Sequence, residues 1–328
     1  MARLFDDDLF GDRRIQHTYS TSGAFGLAFD PPRERLYVVE QSKNRVRVFS
    51  TSCAYGAQSV VNLAGEYLLP VHVAIDHDYE RILVSEYGSK RVQVRSLRDH
   101  SFISFLGSES GIEVPRAVAI DRRRGRTIVA DSAERLLVLA SNNLEVLFAI
   151  TSVTGNAIAI DHERDRLVVA DSRNRRVQVL SSIDGSFLFE FGSYGHPPGQ
   201  FQCLAGVCID NQGRIIVADS GNRRLQAFTH EGRLISYFDC EFDDPSSVAF
   251  DEHRGLIAFT IDNRVNVIGA NQWLANTEFK WRPDLHRYAP SWIKQAVSTM
   301  TMIRSVVDDS ASMSMIPNEL LFEIFSFL

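Results

Sequence analysis

Six short segments of this chain finish alike, on a small residue, a large apolar residue and an aspartate. They read GLAFD to Asp30, HVAID to Asp76, AVAID to Asp121, AIAID to Asp161, GVCID to Asp210 and SVAFD to Asp251. Successive aspartates lie 46, 45, 40, 49 and 41 residues apart. A self-similar period of this length marks one supersecondary unit that cannot bury its apolar face alone and must stack on its neighbours. Six copies in one frame constrain the fold far more than composition does.

The columns of the repeat make physical sense. One residue before each aspartate stand Phe29, Ile75, Ile120, Ile160, Ile209 and Phe250; two before stand Ala28, Ala74, Ala119, Ala159, Cys208 and Ala249. In a strand of period two these sets face opposite ways, so the large side chains are expected to fill the space between sheets and the small ones to permit crowding. Four residues before the aspartate come Gly26, His72, Ala117, Ala157, Gly206 and Ser247, a mostly small set that suits innermost strands converging on a central channel.

A charged turn follows each aspartate, then a second strand (RLYVVE, RILVSE, RTIVAD, RLVVAD, RIIVAD) ending in Glu40, Glu86, Asp131, Asp171 or Asp219. A polar loop leads to a third strand that opens on a basic residue (NRVRVF, KRVQVR, ERLLVL, RRVQVL, RRLQAF, NRVNVI), and GSFLFEFGS from Gly185 to Ser193 is the clearest fourth. Four strands per period and six periods predict an all-β, six-bladed β-propeller followed by a short α-helical tail. In the sixth repeat Ala258, Phe259 and Thr260 stand where the others carry an apolar residue and an acid. The ring can close with Arg13 to Tyr19 as the outermost strand of the last blade, or with Trp273 to Trp281; either hides both sheet edges. The expected domains are an acidic segment 1–12, the propeller 13–280 and a tail 281–328.

VADSRNRRVQVL and VADSGNRRLQAF, each followed by a variable outer strand and a glycine, resemble the NHL repeat, and the resemblance spans residues 13–280. It implies a binding platform. Propellers of this shape sometimes hold a metal at the channel mouth, and some with similar repeats bind single-stranded RNA on a positive face.

The channel column tests the first of those options. His72 is its one metal-ligand residue, whereas a catalytic zinc or calcium site needs at least three. His77 and His162 fall in the turns after the first strand and are expected to face solvent. No nucleophile elbow, phosphate loop, zinc-protease helix or dinucleotide fingerprint is present, and Gly192 and Gly195 read as blade turns. Cys53, Cys203, Cys208 and Cys240 lack zinc-knuckle spacing and are expected to be buried thiols. The expectation is therefore no enzyme, no metal and no cofactor.

Arg45, Arg91, Arg135, Arg176, Arg224 and Arg264 recur at the start of the third strand. Five of them follow the acid ending the second strand by four or five residues, a spacing that lets each staple its hairpin loop by charge-assisted hydrogen bonds. Lys43, Lys90, Arg173, Arg175 and Arg223 are not explained by that pairing. With Arg45, Arg91, Arg176 and Arg224 they would form one rim, a candidate ligand or RNA surface. These loops do not interleave aromatic residues with the basic ones as stacking would require, and the net charge of −6 gives no overall pull toward nucleic acid. Neither a signal peptide nor an apolar membrane span is read, which places the chain in the cytoplasm, with the nucleus as the alternative.

Beyond Gly269 the repeat grammar stops. Ser291 follows Pro290 as a helix cap, and Trp292, Ile293, Ala296, Val297, Met300, Ile303, Val306 and Val307 recur at helical spacing. The last run, IPNELLFEIFSFL, has Pro317 where a helix can begin and an apolar face of Ile316, Leu320, Leu321, Ile324, Phe325, Phe327 and Leu328 beside Glu319. It resembles the opening of an F-box, the segment that binds the adaptor of cullin-type ubiquitin ligases; a full F-box continues for further helices. Two readings stay open, adaptor docking by this face or packing on the chain's own domain. The leading expectation is a client receptor for a ubiquitin ligase; the alternative is an NHL scaffold or single-stranded RNA module with a structural tail.

Overall fold

The structure, a computed structural model, describes residues 15–52, 59–63, 66–240, 243–261 and 263–275. The chain divides after Leu274 into two units. Apart from Ala275, the second unit lies outside the described residues, and so do both tail helices expected above, the segment 1–12 and Cys53.

The period-two pattern folds as expected into six four-stranded antiparallel sheets. A strand β1 (Ile15–Ser20) comes first. Blade 1 is β2 (Ala24–Asp30), β3 (Arg35–Glu40), β4 (Arg45–Ser50) and β5 (Ser59–Leu63); blade 2 is β6 (Pro70–Asp76), β7 (Arg81–Glu86), β8 (Arg91–Ser96) and β9 (Phe102–Leu106). Blade 3 is β10 (Pro115–Asp121), β11 (Arg126–Asp131), β12 (Arg135–Ala140) and β13 (Val146–Thr151); blade 4 is β14 (Ala157–Asp161), β15 (Arg166–Asp171), β16 (Arg176–Ser181) and β17 (Phe187–Phe191). Blade 5 is β18 (Leu204–Ile209), β19 (Ile215–Asp219), β20 (Arg224–Phe228) and β21 (Leu234–Asp239). Blade 6 comprises β22 (Pro245–Asp251), β23 (Leu256–Ile261) and β24 (Arg264–Gly269), and a helix α1 (Ala270–Ala275) follows it.

The sixth sheet is completed by β1, which runs antiparallel to β24 with Tyr19 opposite Val265 and Ser20 opposite Arg264. Of the two closures open to the sequence, the one by the N-terminal strand is seen, as Ile15–Ser20 among the described residues. Trp273 sits instead in α1, 2% exposed, edge-on to Phe238 at 6.1 Å between ring centres, in the core shared by blades 5 and 6.

Second strands are buried on both faces, which explains their unbroken apolar runs: in β7 every residue from Arg81 to Glu86 is buried. Inner strands approach so closely that a Cβ on Gly26 would lie 2.6 Å from the carbonyl oxygen of Val71, and one on Gly206 would lie 2.9 Å from the nitrogen of Val248. In every blade the outermost pairing carries a register shift. Such bulges twist an otherwise open edge away from further strand pairing.

Two expectations need correction. The large residues before each aspartate do more than fill the gaps between blades, since Phe29, Ile75, Ile120, Ile160, Ile209 and Phe250 also line a channel cavity of about 700 Å³. In blade 6 the place of the acid is taken by Ile261, opposite Arg264, and not by Thr260. The strand is in full register with its counterparts and only its polar end is replaced. Gly26→Val, which forces a branched side chain against the blade 2 backbone, is expected to destabilise the protein by about 1–3 kcal/mol in urea unfolding.

Candidate functional site: the loop face of the propeller

Each blade presents two kinds of connection. Inner strands end on the aspartates at one side, the turn face; second-to-third-strand loops and the connections between blades gather on the other, the loop face. The five acids ending the second strands are all buried at the loop face. Each accepts backbone N–H groups, in four blades from the segment leading into the inner strand. Ser22 N donates to Glu40 (3.0 Å), Leu68 N to Glu86 (3.2 Å), Val114 N to Asp131 (2.8 Å) and Gln202 N to Asp219 (3.0 Å). In blade 4 Asn174 N donates to Asp171 at 3.2 Å.

The third-strand arginines complete these sites. Arg91 lies 3.2 Å from Glu86, Arg135 3.0 Å from Asp131, Arg176 3.1 Å from Asp171 and Arg224 3.3 Å from Asp219, and Arg45 pairs with Glu40 in the same way. Three of them reach on to carbonyls of the inter-blade connection: Arg91 to Glu66, Arg135 to Gly111, and Arg224 to Pro197 and Gln200. The residue before each arginine (Asn44, Lys90, Glu134, Arg175, Arg223) has φ between 50° and 56°. That left-handed backbone is costly for side-chain-bearing residues, and the staple holds it in place. Sequence reasoning missed a third member, the side chain two positions on: Arg47 and Gln93 at 3.1 Å and Gln226 at 3.0 Å bond the same acids.

Burial alone would raise the Asp131 carboxyl, but the N–H groups of Val114 and Glu113 and the Arg135 guanidinium outweigh it and hold the group below the ordinary carboxylate range. The staple thus absorbs Arg45, Arg91, Arg176 and Arg224 of the candidate rim. Arg173 pairs with Glu134, Arg223 lies 3.3 Å from Asp244, and the Arg175 guanidinium sits 5.1 Å above the Tyr194 ring. Lys43 and Lys90 are exposed and form no ion pair with any described residue.

The expectation that these loops lack aromatics is corrected. Tyr87 follows Glu86 directly in the blade 2 loop, and Tyr194 arrives from the connection between blades 4 and 5. Around Tyr87 lies an apolar patch in which Leu68 is 48%, Leu69 41% and Tyr87 46% exposed. Backbone bonds tie it together: Tyr87 N donates to Leu69 O (3.0 Å), Gly88 N to Leu68 O (3.1 Å), and Leu69 N to Asn44 Oδ1 (2.8 Å). Leu69 has φ 47°, a strained backbone for leucine just before Pro70. Two adjacent leucines before a proline, outside any strand period, were the available sequence signal.

His72 is half-buried between blades 2 and 3, with Val118 N 3.5 Å from its Nδ1, and desolvation pushes its pKa down to about 4. No three His, Cys, Asp or Glu side chains converge as a metal site among the described residues. Cys208 and Cys240 are buried, but Cys203 is exposed, against expectation, because its connection runs over the surface. Burial raises both the Cys208 and the Cys240 thiol.

On the turn face, the inner aspartates are buried and five of them cap their own turns: Asp76 accepts from Tyr79 N, Asp121 from Arg124 N, Asp161 from Arg164 N, Asp210 from Gln212 N and Asp251 from His253 N. His77 and His162 do not simply face solvent. Each reaches back to the preceding blade, His77 Nε2 to Asp30 at 2.9 Å and His162 Nδ1 to Asp121 at 3.6 Å. Arg122 donates to His77 Nδ1 (2.5 Å) and lies 3.8 Å from Glu252 on the opposite blade.

Residues 201–228 match the NHL repeat. The match spans β18, β19 and β20 with their connections, one repeat of the six-bladed ring. No curated protein matches the chain. Among solved structures, the WD40 β-propeller domain of Doa1 superposes with TM-score 0.57 at 11% identity, over 79% of this chain and 81% of that one. A structural genomics protein of unknown function from Bacteroides thetaiotaomicron VPI-5482 gives TM-score 0.62 at 14% identity, over 76% and 70%. At such identities the likeness is one of fold.

Arg224→Met removes the one charged partner of buried Asp219 while leaving its amide donors, and is expected to cost about 3 kcal/mol in urea unfolding, partly recovered on adding Asp219→Asn. For His72 the folded pKa lies below the unfolded value of about 6.5, so its neutral burial stabilises above that pH and the contribution is lost on acidification toward about 4. Thermal melts of the wild type and His72→Gln should therefore diverge between about pH 6.5 and pH 4, with the wild type falling faster.

Proposed function

We propose that this chain is a non-catalytic protein-binding platform that captures a client on its loop face. The observation that carries this reading is the uncovered patch of Leu68, Leu69 and Tyr87 on a surface whose acids are largely stapled. Aromatic and large apolar side chains ringed by polar groups are what the centre of a protein interface uses. The propeller fold suits the role, since a rigid ring presents loops without moving.

The finer reading is a client receptor for a cullin-type ubiquitin ligase, with Ile316 to Leu328 tethering the propeller to the adaptor. It rests on the F-box-like pattern of IPNELLFEIFSFL and on the need to cover so many apolar groups, each worth about 25 cal/mol per Å² removed from water. Helix-in-groove docking is the expected mode. A pull-down with the full chain and with residues 315–328 removed tests it. The adaptor should be lost from the truncated sample alone, and its absence from both would end the receptor reading. A second reading, a single-stranded RNA module, draws on the Arg175–Tyr194 stack. It expects Arg175→Ala with Arg223→Ala to weaken oligonucleotide binding and flatten its salt dependence.

A further inference from the structure

Charge on the loop face is unevenly spent. Arg45, Arg91, Arg135, Arg176 and Arg224 serve buried acids, while Arg173 and Arg223 have acidic partners of their own. Lys43, Lys90 and Arg175 are exposed loop cations that pair with no described acid; Arg175 lies over the Tyr194 ring, while the two lysines neighbour the apolar patch. Asn44, next to Lys43, bonds Leu69, and Lys90 shares its loop with Tyr87. A third cation, Arg116, lies with its guanidinium 5.9 Å from the Tyr87 ring and has only a 3.4 Å bond to Asn156 Oδ1 among its side-chain hydrogen bonds.

Most of the acids nearby are engaged, Glu66 alone keeping an exposed carboxylate with no described partner. Glu40 and Glu86 are buried in staples, Glu113 lies 3.5 Å from Arg135, and Glu109 accepts from Gly107 N at 3.0 Å. Glu66 is exposed, its carbonyl taken by Arg91. The patch therefore combines large apolar side chains with three under-used cations. Its backbone is held by the bonds of Tyr87 N to Leu69 O, Gly88 N to Leu68 O and Leu69 N to Asn44 Oδ1, so little ordering would accompany binding.

We propose that this patch recognises an acidic peptide segment with apolar anchors, its leucine or aromatic side chains set on Leu68, Leu69 and Tyr87 and its carboxylates on Lys43, Lys90 and Arg116. The inference rests on the platform reading above and adds the chemistry of the partner. The apolar contacts hold the segment and the lysines select its charge, which makes affinity salt-dependent without any buried ion pair.

The test uses the full chain and a fluorescein-labelled peptide alternating glutamate with leucine and phenylalanine, read by fluorescence anisotropy. Companion peptides replace glutamate by glutamine or by lysine, and a labelled single-stranded RNA is run in parallel. The glutamate peptide should bind at least about tenfold tighter than the glutamine peptide, with the gap closing in high salt. Lys43→Glu with Lys90→Glu should lose about tenfold, and Leu68→Asp with Tyr87→Ala most of the binding, while Ile183→Asp in the β16–β17 connection on the opposite, turn face changes nothing. Circular dichroism melts confirm that each variant is folded, and Lys43→Gln with Lys90→Gln supplies a milder version of the charge loss. Equal binding of the glutamate and glutamine peptides, or charge variants that bind like the wild type, overturns the acidic preference but leaves the platform standing. Undiminished peptide binding by the Leu68 and Tyr87 variant removes the patch from both. No peptide binding, with RNA binding sensitive to Lys43 and Lys90, overturns the inference in favour of nucleic acid.

Discussion

The loop face depends on a buried carboxylate that no blade could leave unpaired. Taking an ionised group out of water is costly unless its oxygens find donors, and Glu40, Glu86, Asp131, Asp171 and Asp219 find them in backbone N–H groups and in a third-strand arginine, with Arg47 as a second for Glu40. The donors come mostly from the strand about to enter the channel and the arginine from the third strand. One acid therefore fixes how three stretches of chain meet. The tight left-handed turn before each arginine is tolerated because its two ends are clamped together.

This arrangement explains which cations remain for other work. An arginine that bonds a carboxylate through Nε and a carbonyl through Nη2, as Arg135 and Arg224 do, has its planar fork largely committed. Lysines one turn away carry no such geometry. The chemical character of the surface is thus set by subtraction, and what remains is concentrated on blades 1 and 2, where the connection Leu68–Leu69 also leaves its side chains in water.

Much of the ring was legible because its signals are local and repeated. The aspartate frame fixed the inner strands, and the five-residue spacing from Glu86 to Arg91 or from Asp219 to Arg224 pointed to the staple that forms. Blade 6 was harder: Ile261 breaks the acidic column, and only the pairing of β23 with β24 reveals its register. The reach of His77 and His162 to the preceding blade was hidden, since contact between residues 47 positions apart, as for His77 and Asp30, leaves no periodic trace. Leu68, Leu69 and Tyr87 escaped notice for a related reason. They belong to connections, where neither helical nor strand periodicity marks what faces outward, and their grouping follows from two backbone hydrogen bonds.

The pairing of β1 with β24 joins residues nearly 250 positions apart, as in the bond between Thr18 Oγ1 and Asn266 Oδ1. During synthesis the first of these strands must wait, unmatched, until the last third-strand segment has emerged. Contacts of such long sequence separation carry a large loop-closure cost and slow the final step of assembly. Once shut, however, the circle has no loose first or last sheet from which unravelling could begin, so the same joint that delays completion guards the finished ring.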